Sequence, residues 1–456
     1  MGIYRSYLSQ DNWITNRIVD SIAQTGSNHG ADPVLTVFAV KSNTSGAFEL
    51  ARSLIKFSLT ELSGKVFSDR IIPSASVSYF LKMFDMKHGE TIPTSYDLFV
   101  YPLSSSWDEG TGVEMYGIDK GYANWEKATS TRYWAITGSD FFTSSYGSGS
   151  QHFDRGQENL EVDITSIVNA WLTGGLVNNG LIIKLGSAEE YNATDYYVKE
   201  FHGRESKFVE YLPHLEARWS SVKKDNRNNF AYNQNNNLYF YNFIRGQLAN
   251  ATEPVLVRVQ DFTGSSGSGN FITTITASLV ETGIYSASFT IVNTASFSAT
   301  FYDIWHSGAF AYMTGNFRPQ NLTGSTADQY YDFTANINNL RQVYDSSEEA
   351  RFKVNVRKKN FRTHATVLKS ASLDMDREYI ESMYYSIIND ETGFIVVPFG
   401  TGSANPYTKL SYNSEGNYFD LFFNCFVPGF KYRIKLLIQN NKDKKILDDD
   451  WIFKVT

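Results

Sequence analysis

The 456-residue sequence holds a single cysteine, seven scattered histidines and few charges, with 41 Lys and Arg against 48 Asp and Glu. One thiol, Cys425, excludes an intrachain disulfide and a cysteine-based zinc site. Its place in the apolar run 421–427 marks it as a buried structural group rather than a nucleophile. A net charge of −7 and a pI near 5.6 set nucleic acid aside as a partner, because phosphate binding needs a basic face. No apolar window of 18 residues occurs, and the opening MGIYRSYLSQDNWI has no stretch of signal-peptide length. The expectation is no membrane insertion, and a product that stays where it is made unless it leaves by lysis or inside a particle. Catalytic signatures are missing too. There is no G-x-x-x-x-G-K-[ST], G-x-S-x-G or H-E-x-x-H, and histidines 29, 88, 152, 202, 214, 306 and 364 are dispersed. A non-enzymatic chain without cofactor or metal is expected.

Aromatics are what the chain has in excess: 33 Phe, 29 Tyr and 8 Trp, together with 32 Gly. That mixture favours strands and tight turns, and the length suggests about three domains. Polar, turn-rich stretches place them at 1–219, 238–328 and 350–456. The segment 220–237, with KKDNRNN and QNNN, reads as a linker too polar to bury and suited to a hinge, and 329–349 as a bridge. The period is mostly two. Val255, Val257 and Val259 alternate with less apolar neighbours, as do Phe352, Val354 and Val356, and Tyr432, Ile434 and Leu436, a pattern of half-buried strands in antiparallel sandwiches. One helix interrupts the first segment. Asp163 caps it, Ile164, Ile167, Val168, Trp171 and Leu172 share a face, and Gly174-Gly175 stops it. The stretch 71–86 has mixed period and is left open between helix and strand.

Sites are sparse. Asp108, Glu109, Glu114 and Asp119 share a loop-rich stretch with Trp107, Tyr116, Trp125 and Trp134, the ingredients of a calcium site or a sugar-stacking platform. Core and loop packing is the plainer account of the same residues. Trp107, Trp125 and Trp134 are carried forward as candidate glycan contacts. Arg357-Lys358-Lys359 reads as a solvated turn, and Asp448-Asp449-Asp450 as an acidic edge that discourages strand-to-strand aggregation rather than a cation site.

Two resemblances sharpen this picture. ARSLIKFSL at 51–59, YDLFVYP at 96–102 with WDEG at 107–110, VDIT at 162–165 with Trp171, NGLIIKL at 179–185, and FHGRES at 201–206 before LPHL at 212–215 resemble, in order, the landmarks of disaggregatase-related jelly-roll modules. That implies an N-terminal β-sandwich of a kind found beside surface enzymes, sometimes carbohydrate-binding and sometimes calcium-stabilised. From the residues themselves, Gly180 suits a turn into a buried strand, Arg204 and Glu205 a pair near the sheet edge, and Pro213 a strand start.

LYFYN at 238–242, TGIYSA at 282–287, YDIW at 302–305, ARFKV at 350–354, TKLSY at 408–412, GNYFD at 416–420 and PGFKY at 428–432 are similar to the immunoglobulin-like tandem of virion structural proteins in tailed phages of marine bacteria and cyanobacteria. The resemblance implies an all-β chain, a jelly roll followed by two Ig-like sandwiches. It would be a structural component of capsid, neck or tail, assembled in the host cytoplasm, homo-oligomeric and partnered by other virion proteins. The alternative is a carbohydrate-binding adhesin that contacts host surface polysaccharide through the jelly roll.

Overall fold

The computed structural model describes residues 2–19, 22–43, 45–69, 71–87, 92–113, 122–261, 271–294, 300–321, 332–359, 379–402, 406–439 and 444–456. The chain divides into two compact units at Trp219/Ser220.

In the first unit, alternation decides which side chains leave water. Val77, Tyr79, Leu81 and Met83 are buried on one face of the strand Val77–Met83, and Tyr96, Leu98 and Val100 on one face of Tyr96–Pro102. Each contributes about 1.5–3 kcal/mol on burial. The ambiguous stretch 71–86 thus contains a strand, paired with His214–Trp219 on one side and Leu160–Asp163 on the other. From one edge the sheet runs Gly149–Phe153, Tyr96–Pro102, Leu181–Leu185, Phe48–Phe57, Gly2–Thr15, His214–Trp219, Val77–Met83, Leu160–Asp163, while Val34–Lys41 branches from Phe48–Phe57 and carries Tyr197–His202 on its other edge.

The 14-residue strand Gly2–Thr15 lies between Phe48–Phe57 and His214–Trp219, and a register shift between Leu8 and Gln10 marks a bulge in it; such bulges bend a strand. The outer strands close on one another: a Cβ on Gly149 would come within 2.0 Å of Val162 Cγ1. The result is a barrel-like sandwich. Its helix, Thr165–Leu172, begins where Asp163 Oδ1 accepts the Thr165 N–H (2.9 Å), buries Ile164, Ile167, Val168 and Trp171, and ends at Gly174 with φ +77°. Gly180, at φ +95°, turns the chain into Leu181–Leu185 and packs against the Ile55 carbonyl.

The second unit contains two further sandwiches of immunoglobulin type. In the first, Asn236–Tyr241, Ile284–Phe289 and Ser278–Glu281 form one sheet and Phe271–Thr276, Leu256–Gln260, Phe301–Ser307 and Phe310–Phe317 the other. Leu238, Phe240, Val257, Phe301 and Trp305 fill the space between them. In the last sandwich, Phe333–Ile337, Glu349–Lys358, Gly416–Phe422 and Ser411–Asn413 face Val343–Tyr344, Lys444–Val455, Lys431–Gln439, Met383–Asn389 and Ile395–Val397. Its core is a column of rings, with Tyr385 stacked on Phe419 (4.4 Å) and Tyr344 on Phe423 (4.3 Å). Tyr432 Oη donates to the Val427 carbonyl (2.8 Å) and accepts the Val427 N–H (2.9 Å), the local closure that Ig-type sandwiches make with a tyrosine corner. Cys425 is buried in the turn Phe423–Cys425.

Three polar stretches behave differently from their composition. Strands Phe333–Ile337 and Val343–Tyr344, from the segment expected to bridge, belong to the last sandwich. Arg357 and Lys358 extend the strand Glu349–Lys358 instead of turning. Asp448–Asp450 lies within Lys444–Val455, where Arg433 pairs with Asp448 and Asp450 and Lys435 pairs with Asp448 (3.2 Å), so two of the three carboxylates face cations of the neighbouring strand.

The segment 220–237 is woven into both sandwiches. Phe230 is in the first sandwich's core. Arg227 makes a two-pronged ion pair with buried Asp303 (2.6 and 2.7 Å), whose carboxylate also accepts the Trp305 indole N–H. On the other side, Tyr412 N donates to the Lys223 carbonyl (3.0 Å), Asp225 N to the Tyr412 carbonyl (3.1 Å), and Asn228 Nδ2 to the Ser414 carbonyl (3.0 Å). Polar side chains are buried here because backbone and ionic partners replace water, which composition does not reveal.

Candidate functional site

The candidate tryptophans are interior. Trp107, Trp125 and Trp134 are 4%, 7% and 5% exposed. Trp107 Nε1–H donates to the Asn179 carbonyl (2.9 Å), Trp134 Nε1–H to the Asn124 carbonyl (2.8 Å), and the Arg52 guanidinium lies over the Trp125 ring (5.1 Å). These contacts make them packing groups, and a sugar has no open ring face to stack on. Glu114, Tyr116 and Asp119 lie outside the described residues. Glu109 is bound to Arg204 Nη2 (2.9 Å) and accepts the Asp11 N–H (2.7 Å). Arg204 therefore has a stronger partner than the expected Glu205, which stands at 3.3 Å. Among the described residues no three His, Cys, Asp or Glu converge as metal ligands.

The Glu109 cluster is electrostatically tense. Asp11 Oδ2 accepts the Arg204 N–H (2.6 Å), but Oδ1 stands 3.6 Å from Arg204 Nε, too far for a hydrogen bond. Burial, followed by the neighbouring Glu109 charge, pushes the Asp11 carboxyl up to about 7 against the opposing pull of Arg204. Asn28 braces the same loops: its Nδ2 donates to the carbonyls of Glu109 (2.7 Å) and Ala123 (2.9 Å), and its Oδ1 accepts N–H from Gly30 and Gly112. Nearby His29 stacks on Trp13 (3.6 Å), and burial lowers its imidazole to about 4. This is a structural brace, closed to solvent at Asp11.

The same unit also carries an open cleft of about 760 Å³. One wall is Asn16, Phe48, Leu50 and Arg52, from the long strand's end and Phe48–Phe57; the other is the loop 135–143, with Ser104, Ser105 and Tyr191 at the ends. Two consecutive left-handed residues, Gly138 (φ +87°) and Ser139 (φ +94°), shape that loop. The Asp140 carboxylate fastens it by accepting N–H from Ala135 (2.9 Å) and Ile136 (2.8 Å). Arg52 is consumed beneath the cleft by Glu190 (Nε and Nη2, 2.9 Å each) and the Gly138 carbonyl (2.7 Å), and Lys184 reaches Glu190 at 3.1 Å.

Phe48 meets Tyr191 edge-on (5.4 Å, 81°), fixing a ring that is 58% exposed at the rim. Of the candidate tryptophans only Trp125 borders the cleft. Ser139 and Tyr191 carry no sequence signal beyond the turn-forming string TGSD at 137–140, since their importance comes from strands far apart in the chain.

No protein-family model matches this chain, and no curated protein matches its sequence. Among solved structures it is similar to a chimeric titin Z1Z2 tandem, at 12% identity over 52% of this chain and 95% of that one, TM-score 0.15. It is also similar to the insect immune protein hemolin, at 11% over 60% and 66%, TM-score 0.18. A third likeness is to the four N-terminal Ig domains of a Dscam1 isoform, at 8% over 98% and 100%, TM-score 0.14. These are distant likenesses to multidomain Ig-type β proteins, and the fold class rests on the sheets described above.

Proposed function

We propose that the chain is a non-enzymatic structural component of a tailed-phage particle, at capsid, neck or tail, which docks through rigid sandwiches onto other virion proteins and onto copies of itself. The observation that carries this reading is the surface of the 236–320 sandwich. Among the described residues, eight large apolar side chains are exposed there, among them Phe243, Phe271 and Phe310, against three in 333–456. Exposed apolar groups at this density are the kind that a partner protein covers, which supports a docking role. Phe243, Ile244 and Leu248 flank a two-residue turn at Arg245 and Gly246, both with positive φ, which holds the hairpin in a fixed geometry. Repeated positions in a particle favour symmetric copies.

The test is mass spectrometry of washed particles from the host that carries the gene. The chain is expected in stoichiometric, multi-copy amounts; recovery only as free protein in the lysate overturns the reading. A Phe243→Asp, Phe310→Asp double variant should remain folded and be depleted from particles at least tenfold. Undiminished incorporation removes this surface as the docking face.

A further inference from the structure

We infer that Lys199 and Asp85 condense to an intramolecular amide, a covalent staple within the first unit that goes beyond the docking role proposed above. The backbone places the two residues. Asp85 follows the strand Val77–Met83 and bridges to Phe201 in the strand Tyr197–His202. On either side of that bridge the Met86 N–H donates to the Glu200 carbonyl (2.9 Å) and the His202 N–H to the Phe84 carbonyl (3.1 Å). Lys199, two residues from Phe201, shares its face and is the diagonal neighbour of Asp85, within reach of a long side chain. Its Nζ donates to Asp85 Oδ1, and among the described residues no other cation pairs with that carboxylate.

Burial decides the chemistry. Lys199 is fully buried, its Nζ 5.0 and 5.2 Å from the ring centres of Phe153 and Phe201, and the carbonyls of Gly156 (2.9 Å) and Glu158 (2.8 Å) hold it in place. Removal from water pushes the amine below the ordinary lysine range, the condition under which a lysine acts as a nucleophile. Two further buried atoms here, Glu158 Oε2 and the Tyr96 hydroxyl, have no hydrogen-bond partner. An ion pair alone leaves both unexplained. Glu158 Oε1 accepts the Arg155 N–H (2.7 Å), and the Glu158 charge acts on Lys199 and on Tyr96. Its Oε2 is thus a base with no other commitment. Two other lysine–carboxylate pairs lack these conditions: Lys184 meets Glu190, which the Arg52 fork holds as an anion (2.9 Å each), and Lys445 meets Asp332 in a pair open to water.

The step is a dehydration. The Lys199 ammonium passes one proton to Asp85 across their hydrogen bond, the neutral Nζ attacks Cγ of the resulting carboxylic acid, and an Nζ–Cγ bond forms. Glu158 takes a second proton from the nitrogen and returns it to the Asp85 hydroxyl. The Cγ–O bond then breaks and one water leaves, with no oxidant or other reactant consumed. The rings of Phe153 and Phe201 exclude the water that would reverse the step. The product closes 85 to 199 into a covalent loop in a chain whose one cysteine leaves no intrachain disulfide.

The experiment is intact-mass spectrometry of the full chain, with tandem sequencing of its tryptic peptides. The wild type should be lighter than its sequence by one water, with peptide 83–87 joined to 185–204 and no cleavage after Lys199. Lys199→Arg and Asp85→Ala should each show the full mass, with circular dichroism checking that they are folded. Glu158→Gln, which keeps the ion pair, should be isolated largely unlinked. Lys445 and Asp332 should be recovered on separate peptides. A wild type at full sequence mass that yields 83–87 and 185–199 as separate peptides, or a water loss located elsewhere, overturns the inference. Complete linkage in Glu158→Gln overturns the role given to that carboxylate.

Discussion

Asp11 holds a proton near neutrality because its carboxyl is buried beside Glu109 and only partly answered by Arg204. Its folded value, about 7, lies above the ordinary 3.8. Its contribution to stability is therefore complete at pH below about 4 and is lost as pH rises through about 7. Urea unfolding at pH 5 and pH 8 should show the wild type losing stability across that interval. Asp11→Asn should lose less, so that the variant gains on the wild type at pH 8; equal slopes in the two proteins remove Asp11 as the source. Ser139 offers a second residue-scale measurement. At φ +94° a serine is strained, and Ser139→Gly should raise stability by about 1 kcal/mol, seen as a higher Tm. A lower Tm would mean that the side chain contributes more than its strain costs. Neither residue stood out in the sequence, since Asp11 is one acid among 48 Asp and Glu and its environment is assembled from positions 109 and 204.

Elements were more legible than residues. Strict alternation at Val255, Val257, Val259 and at Phe352, Val354, Val356 yields buried faces in the structure, because period two needs only a half-covered sheet. The helix Thr165–Leu172 was legible at cap, face and stop. The tryptophans follow the plainer account, core and loop packing, rather than glycan contact; composition alone could not decide between the two, because aromatic rings in a loop-rich stretch have the same composition whether they face solvent or the floor of a loop. The partners that decide it here, the carbonyls of Asn179 and Asn124, are backbone groups with no sequence signature. Gly180 carries a clean element-scale prediction. At φ +95°, with a Cβ placed 2.3 Å from the Ile55 carbonyl oxygen, Gly180→Ala should cost about 2–4 kcal/mol. A loss below about 0.5 kcal/mol in urea titration would show that Leu181–Leu185 shifts freely against Phe48–Phe57.

At the scale of the molecule, the aromatic-rich, lightly charged composition was enough to indicate several β-sandwiches, and the polarity of 220–237 concealed how the last two are fastened. Lys223 binds Glu281 (2.9 Å) on one side and its carbonyl accepts the Tyr412 N–H on the other, while Arg227 neutralises buried Asp303. Arg227→Ala leaves that carboxylate without its cation and should cost about 3–5 kcal/mol. A fragment beginning at Ser220 should unfold in one calorimetric transition, and one beginning at Leu238 should not fold its first sandwich, because Phe230 leaves the core with the deleted segment. Two resolved transitions in the longer fragment would show the sandwiches to be independent. The consequence reaches into descent. A segment that hydrogen-bonds in two domains at once ties their inheritance together: a recombination joint at 237/238 gives a chimera with Asp303 uncompensated, whereas one at 219/220 keeps Asp303, Glu281, Tyr412 and Ser414 with the segment. Gene exchange that shuffles modules is thus expected to move these two sandwiches as one cassette.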